Sequence, residues 1–244
     1  MTTETMLFLA ISALCIGISK AGFSGVSLIA VYLLAETFGA KESIGVALPL
    51  LILADLMVYP AFRKHGSWKQ VWPVFIPALV GMIAGFILLP RLDNDVMKPV
   101  IGLIILTMAF ITVMRKFYGK QIERMAMSSG FRYISASSGG IATVLANAAG
   151  PIFQLYFLTV RLPKMELIGV CARFFLLANL LKLPFNAHLD LINKDTILIN
   201  LYLIPILALG IFTGKKFLHR IPQKAFEYLI LLFAMIAGVR LTFF

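Results

Sequence analysis

Residues 6–37 read Met6-Leu-Phe-Leu-Ala-Ile-Ser-Ala-Leu-Cys15-Ile-Gly-Ile-Ser-Lys20-Ala-Gly22-Phe-Ser-Gly25-Val-Ser-Leu-Ile-Ala-Val-Tyr32-Leu-Leu-Ala-Glu-Thr37, an apolar run interrupted at Ser19-Lys20-Ala21-Gly22-Phe23-Ser24-Gly25. Glycines weaken a helix, and an ammonium at membrane depth needs a partner or a polar cavity. The limb 6–18 has 13 residues. At 1.5 Å rise it reaches about 20 Å against a hydrocarbon core of about 30 Å. Two limbs of that kind predict a re-entrant hairpin meeting near mid-membrane rather than a single crossing. A second run, 127–160, is interrupted at Asn147-Ala148-Ala149-Gly150-Pro151 and predicts a second hairpin.

The rest of the chain is read outward from these breaks. Of its 244 residues, 60% are hydrophobic and 14% charged, whereas a soluble domain carries about 25% charged residues. With a mean hydropathy of +0.94, a soluble enzyme is excluded. Segments suited to full crossings run 44–62, 70–90, 96–114, 166–185, 196–214 and 222–243, each near the ~20 residues a spanning helix needs. The net charge of +11 does not point to nucleic acid, because the basic residues sit in short loops where they set topology and meet anionic headgroups. Cys15 and Cys171 lie in apolar runs without CxxC spacing, and Met-Thr-Thr-Glu before the first run has no basic region of the kind a cleaved signal peptide carries.

Loop charge orients the spans. Loops 63–69, 115–124, 161–164 and 215–224 hold 13 Lys and Arg, while loops 36–43, 91–98 and 186–195 hold 4. The first set is therefore cytoplasmic and both termini are extracytoplasmic. On this path the two halves run in opposite senses, and direct comparison supports a repeat. At an offset of 124, Ile44-Gly45-Val46 falls on Ile168-Gly169-Val170, Tyr32 on Tyr156, Asp55 on Asn179 and Pro60 on Pro184. At 129, Gly81-x-x-x-Gly85 falls on Gly210-x-x-x-Gly214, and Arg91 on Arg220. Paired helix breaks in inverted repeats are the mark of a secondary transporter. The expected fold is an all-α polytopic membrane protein of two inverted-topology repeats, 1–114 and 127–244. Each is a re-entrant broken-helix hairpin plus three transmembrane helices, and a basic cytoplasmic linker, 115–126, joins them. The GxxxG pairs can pack within or between protomers, so a homo-oligomer stays open.

These residues carry a resemblance. The stretch Gly17-Ile-Ser-Lys20-Ala-Gly22-Phe-Ser-Gly25, then Ala40-Lys-Glu-Ser-Ile-Gly45-Val-Ala-Leu-Pro49 through Asp55, then Arg63-Lys-His65-Gly-Ser-Trp68-Lys, resembles the TauE/SafE sulfite exporter family in its usual order. In the second half Ala149-Gly150-Pro151, Tyr156, Leu158, Lys164 and Asn179-Leu-Leu-Lys182 agree with that family's pattern, so the likeness spans about residues 10 to 243. It implies transport of sulfite or a small organosulfonate across the cytoplasmic (inner) membrane, commonly as export, with a small sulfur-containing anion and the lipid bilayer as partners.

A transported oxyanion needs donors and positive potential. Where a second limb restarts after Gly25 or Gly150, free N–H groups and the positive helix end face the midplane. Gly22, Ser24, Gly25, Asn147, Gly150 and Pro151 are accordingly candidate substrate-binding residues; the alternative is that these glycines only allow close packing. Lys20 is the first choice for an anion contact, its alternative being an ion pair with Asp55 or a cap on orphan carbonyls. Arg173 can hold a sulfonate bidentately or bridge helices. Asp55, the acidic residue deep in a confident span, is the proton-coupling candidate, or else a permanently ionised partner for Lys20 or Arg173. Asn179 can donate to a bound oxyanion or across helices.

Trp68, Trp72, Tyr118 and Tyr133 read as an interfacial aromatic belt, and Lys182, near a helix end, as snorkelling outward. His65, His188 and His219 form no metal-ligand spacing, and no phosphate-binding loop, cofactor motif or Ser/His/Asp arrangement occurs, so neither an enzyme nor direct ATP coupling is indicated. The resulting expectation is a secondary transporter working by alternating access. An anion channel, an uptake carrier for another small anion and a membrane scaffold are the rival readings.

Overall fold

The computed structural model describes residues 3–91, 94–114 and 117–243. Met1 and Thr2 of the N-terminal reading, and Arg115 and Lys116 of the cytoplasmic basic set, lie outside the described residues. Helices account for the described architecture: α1 (Thr3–Lys20), α2 (Ser27–Phe38), α3 (Ala40–Phe62), α4 (Trp68–Leu88), α5 (Asn94–Met114), α6 (Gly119–Ala126), α7 (Ser129–Ala146), α8 (Ala149–Thr159), α9 (Lys164–His188), α10 (Lys194–Arg220) and α11 (Gln223–Phe243). A 3-10 turn, Ser24–Val26, precedes α2.

Among the described residues, five helices are long and apolar enough to cross a membrane: Lys41–Phe62, Trp68–Leu88, Lys164–His188, Thr196–Arg220 and Gln223–Phe243. The crossing expected at 96–114 is helical as α5, and its apolar part over the described residues is the shorter Pro99–Met114. Both interruptions fall where the sequence put them. The first limb is longer than expected, though: α1 has 18 residues, about 27 Å at 1.5 Å per residue. Glu4 extends its first turn and Lys20 its last, each on the end of the helix dipole that favours its charge. Ser19 and Lys20, read as part of the break, are therefore the end of a helix.

The chain divides into two compact units, each assembled from two separate stretches of the sequence. One is Met1–Lys64 with Ala172–Ile221, and the other is His65–Cys171 with Pro222–Phe244. In the first, α1 folds back on α2 and lies along α10, and α3 packs on α1, α2 and α10. In the second, α7 folds back on α8 and lies along α4, while α5 pairs with α11 and both touch α8. Residues Pro151–Thr159 of α8 are buried throughout, whereas α2 leaves Ile29 and Tyr32 exposed.

The close helix pairs are made by small residues. A Cβ placed on Gly81 would meet the Ser137 carbonyl oxygen, and one on Gly85 would sit 2.9 Å from Val144, both across the α4–α7 contact. The matching pair behaves alike: Gly210 faces Leu14 and Gly17, and a Cβ on Gly214 would lie 2.8 Å from that of Ala21, across α10–α1. Each GxxxG thus seats the first limb of a broken segment, so that van der Waals contact replaces the hydrophobic drive lipid cannot supply. The helices carrying them start alike. The Gln70 side chain accepts from the Ser67 N–H (2.8 Å) at α4, and Asn193 and Thr196 exchange side-chain and backbone bonds (2.9 and 3.0 Å) at α10.

Substituting Ala for Gly81 forces α4 and α7 apart, and about 1–3 kcal/mol of stability is expected to be lost. Gly130, around which a Cβ finds open space, serves as the control. Chemical unfolding of the purified protein in mixed micelles should separate Gly81→Ala from a near-neutral Gly130→Ala.

Candidate functional site

The first break closes by local bonds. The Ala21 N–H donates to Gly17 O (3.2 Å) and the Gly22 N–H to Ser19 O (3.0 Å), ending α1. Gly22 then takes φ 133°, a conformation in which a side chain is strained. The Ser27 hydroxyl donates to Ser24 O at 2.6 Å as α2 begins. Buried Phe23, stacked at a tilt on Phe217 with centroids 5.5 Å apart, pins the turn to α10. Lys20 is thereby held at the end of α1 with its side chain only 10% exposed.

Its ammonium meets Asp55 of α3. Lys20 Nζ lies 2.7 Å from Asp55 Oδ1, and the other carboxylate oxygen accepts from Asn179 Nδ2 of α9 at 2.6 Å. Phe175, one turn before Asn179, places its ring 4.8 Å below the Lys20 ammonium. Asp55 and Asn179 are each 1% exposed. Three helices therefore converge on one carboxylate with both oxygens bonded, the condition under which a charge survives burial. Of the readings open for these residues, the Lys20–Asp55 pair and the cross-helix bond from Asn179 are the ones found. Asp55 and Asn179, matched by the repeat offset, are in direct contact.

Arg173 is placed by other partners. Its Nη2 donates to Arg63 O at 2.6 Å and its guanidinium lies 5.6 Å from the Tyr59 ring centroid, so it caps the carbonyl end of α3. The second break belongs to the other compact unit. Asn147 ends α7 in the left-handed conformation (φ 51°), with the Asn147 and Ala148 N–H groups each 3.2 Å from the carbonyls of Thr143 and Ala142. Pro151 sits in the first turn of α8, where its missing N–H leaves no bond unmade.

One sequence expectation is corrected. Lys182 does not snorkel outward; it is 1% exposed, while Leu180, Leu181, Leu183 and Phe185 around it are exposed. Its position near a helix end suggested the interface, but its direction around the helix points inward. The signal was its spacing: Asn179, Lys182 and the buried Asn186 fall at i, i+3 and i+7 on one face of α9. Trp68, Trp72, Tyr118 and Tyr133, read from the sequence as an interfacial belt, are exposed.

With this geometry in hand, the comparison with protein families is decisive. The family model described as sulfite exporter TauE/SafE matches residues 9–241. The chain belongs to the TauE/SafE family. Neither curated proteins nor solved structures give a match. TauE/SafE membership implies a multi-pass membrane transporter of the sulfite and organosulfonate type. The matched region takes in the first break, the buried ion pair and the second break alike.

Removing one partner of a buried pair leaves an uncompensated charge, so Asp55→Ala is expected to cost about 3–5 kcal/mol of stability. Lys20→Met combined with Asp55→Ala should recover a large part of that loss. A double-mutant cycle on thermal unfolding in detergent measures the coupling.

Proposed function

We propose that this TauE/SafE chain is a secondary transporter that exports sulfite or a small organosulfonate across the cytoplasmic membrane by alternating access. Its two repeats, 1–114 and 127–244, are of inverted topology and joined by the basic linker 115–126. The observation that carries the reading is the Lys20–Asp55–Asn179 cluster, a cation and an amide donor at a helix break, held by a carboxylate an incoming anion can replace. Supporting it, the two GxxxG helices seat corresponding first limbs, and the Asp55–Asn179 contact joins residues matched across the halves.

In this scheme Lys20 and Asn179 contact the anion, Ser24 and Gly25 present backbone donors, and Gly22 allows a close approach. The second break offers a like surface of its own, with the Asn147 side-chain amide and the Gly150 backbone N–H as donors and Pro151 opening α8, and Arg173 contributes a guanidinium. Asp55 occupies the donors while the site is empty. A proton arriving on its carboxylate frees Lys20 and Asn179 for substrate, which links anion movement to a proton. The membrane potential, worth ~2.3 kcal/mol per charge per 100 mV, drives an anion outward when the interior is negative.

Counterflow in proteoliposomes tests the proposal. Vesicles loaded with sulfite or a small sulfonate should accumulate labelled substrate saturably, with Lys20→Ala losing anion affinity and Asp55→Asn losing its response to an imposed pH gradient. Non-saturating, voltage-scaled flux would make the protein a channel, and equal pH dependence in Asp55→Asn and wild type would remove Asp55 from the coupling.

A further inference from the structure

Three helices of the first unit bury polar atoms that the described residues do not complete. The Asn186 amide nitrogen on α9, the Asn200 side-chain carbonyl oxygen on α10 and the Ser12 hydroxyl on α1 have no hydrogen-bond partner among them, and the three residues are 1%, 2% and 0% exposed. The orientation of the Asn200 amide is fixed: its Nδ2 gives one hydrogen to Val46 O (3.0 Å) and one to Thr196 O (2.8 Å), so the atom left over is an acceptor. A fourth group is backbone. Pro49, inside α3, has no N–H to return to the Gly45 carbonyl one turn back. Buried polar groups of this kind are disfavoured unless something bonds them.

Contacts along the helices bring these groups to one side of the ion pair. Between α3 and α9 the pairings run in opposite senses: Arg63 O with Arg173, Asp55 with Asn179, and Gly45 against the Leu191 backbone. Asn186 lies seven residues beyond Asn179, two turns on and on the same face, so it meets α3 about 10 Å from Asp55, at the level of Leu48 and Pro49. It is the one buried position in 183–190. Val46, bonded by Asn200, is less than a turn further along α3. α1 runs beside α10 in the same sense, Gly17 against Gly210 and Ala21 against Gly214, and Ser12 lies about 12 Å before Lys20 on it. All four groups therefore stand toward the starts of α1, α3 and α10, with Lys182 on the inward face of α9 between Asn186 and Asn179.

We propose that Asn186, Asn200, Ser12 and the Gly45 carbonyl line a hydrated recess, a short chain of ordered waters by which solvent reaches Asp55 from the end of the unit where α9 turns into α10. Water is the ligand this set fits. It donates twice and accepts twice, so one species satisfies both the Asn186 donor and the Asn200 and Gly45 acceptors, and a buried water needs two to four such partners. A bare anion would leave the acceptors unmet, and a bare cation the donor. At ~2.8 Å between oxygens, about three waters bridge the distance to Asp55. Polar groups at membrane depth are tolerated where they line a water-filled space. The role of the recess rests on the transporter reading above, since it is the route by which a proton arrives at Asp55; its hydration is observable by itself.

Hydroxyl radicals made from water by a brief X-ray pulse oxidise side chains that touch ordered water, and mass spectrometry of the full chain in detergent reads where. Leu48 and Leu50, 0% and 2% exposed, should be oxidised several-fold faster than Leu34 of α2, which is just as buried at 2%. In Asn186→Leu, which keeps the volume and removes the donor, the excess should shrink toward the Leu34 rate. Wild-type oxidation of Leu48 and Leu50 no faster than that of Leu34 would overturn the inference and leave the transporter reading standing. In proteoliposomes the ratio of counterflow with and without an imposed pH gradient should move toward one in Asn186→Leu, and a wild-type ratio would overturn the proton route. Absence of counterflow in a wild type whose Leu48 and Leu50 are oxidised would remove the transporter reading instead, with the hydrated recess intact.

Discussion

An ammonium buried at the end of a helix must be answered by a counter-charge, and the answer from Asp55 organises the first unit. Lys20 can stop α1 where it does because Asp55 stands 2.7 Å away. Asp55 can stay buried in α3 because Asn179 bonds its second oxygen. The carboxylate thus fixes the relative positions of α1, α3 and α9 as well as neutralising charge. Buried ion pairs add little net stability over apolar packing, since desolvation offsets their attraction. What the pair adds is definition: the break in the first segment has one place to sit.

Packing around that pair relies on absence of bulk. Gly17 of α1 and Gly210 of α10 approach until neither would accommodate a side chain, and Gly214 does the same against Ala21. In the second unit Gly81, Gly85 and Gly140 bring α4 and α7 equally close. Lipid offers apolar side chains as good an environment as protein does, so helix association depends on contact area and geometry. Small residues supply both, and they seat the ends of α1 and α7, where the helices break, against α10 and α4.

Much of this was legible in the residues themselves. Hydropathy marked the long helices, glycine and proline marked both breaks, and the family pattern was visible in motifs from Gly17 to Lys182. The charge of Lys20 beside an apolar run already implied a partner, and Asp55 was the evident candidate. Two things were hidden for physical reasons. Helix limits depend on whether Ser19 and Lys20 remain hydrogen-bonded to the preceding turn, which hydropathy does not register, so α1 proved to have 18 residues. The fate of Lys182 depends on angle around the helix rather than distance from its end. Only reading Asn179, Lys182 and Asn186 as one face exposes it. That α1 lies along α10 is a long-range pairing, for which matched GxxxG motifs are a hint but no address.

The two equivalent limb contacts also differ in when they can exist. α4 has finished before α7 is made, and only α5 and α6 lie between them. α1, by contrast, ends at Lys20, and its partner α10 begins at Lys194. At a ribosomal pace of about 5–20 residues per second, on the order of ten seconds or more pass before α10 emerges. During that interval the glycine face of α1 lacks α10, and Asp55 has Lys20 but not Asn179. The nascent first hairpin is therefore the stretch of this chain most dependent on the insertion machinery, or on lipid, to hold it until the last helices arrive.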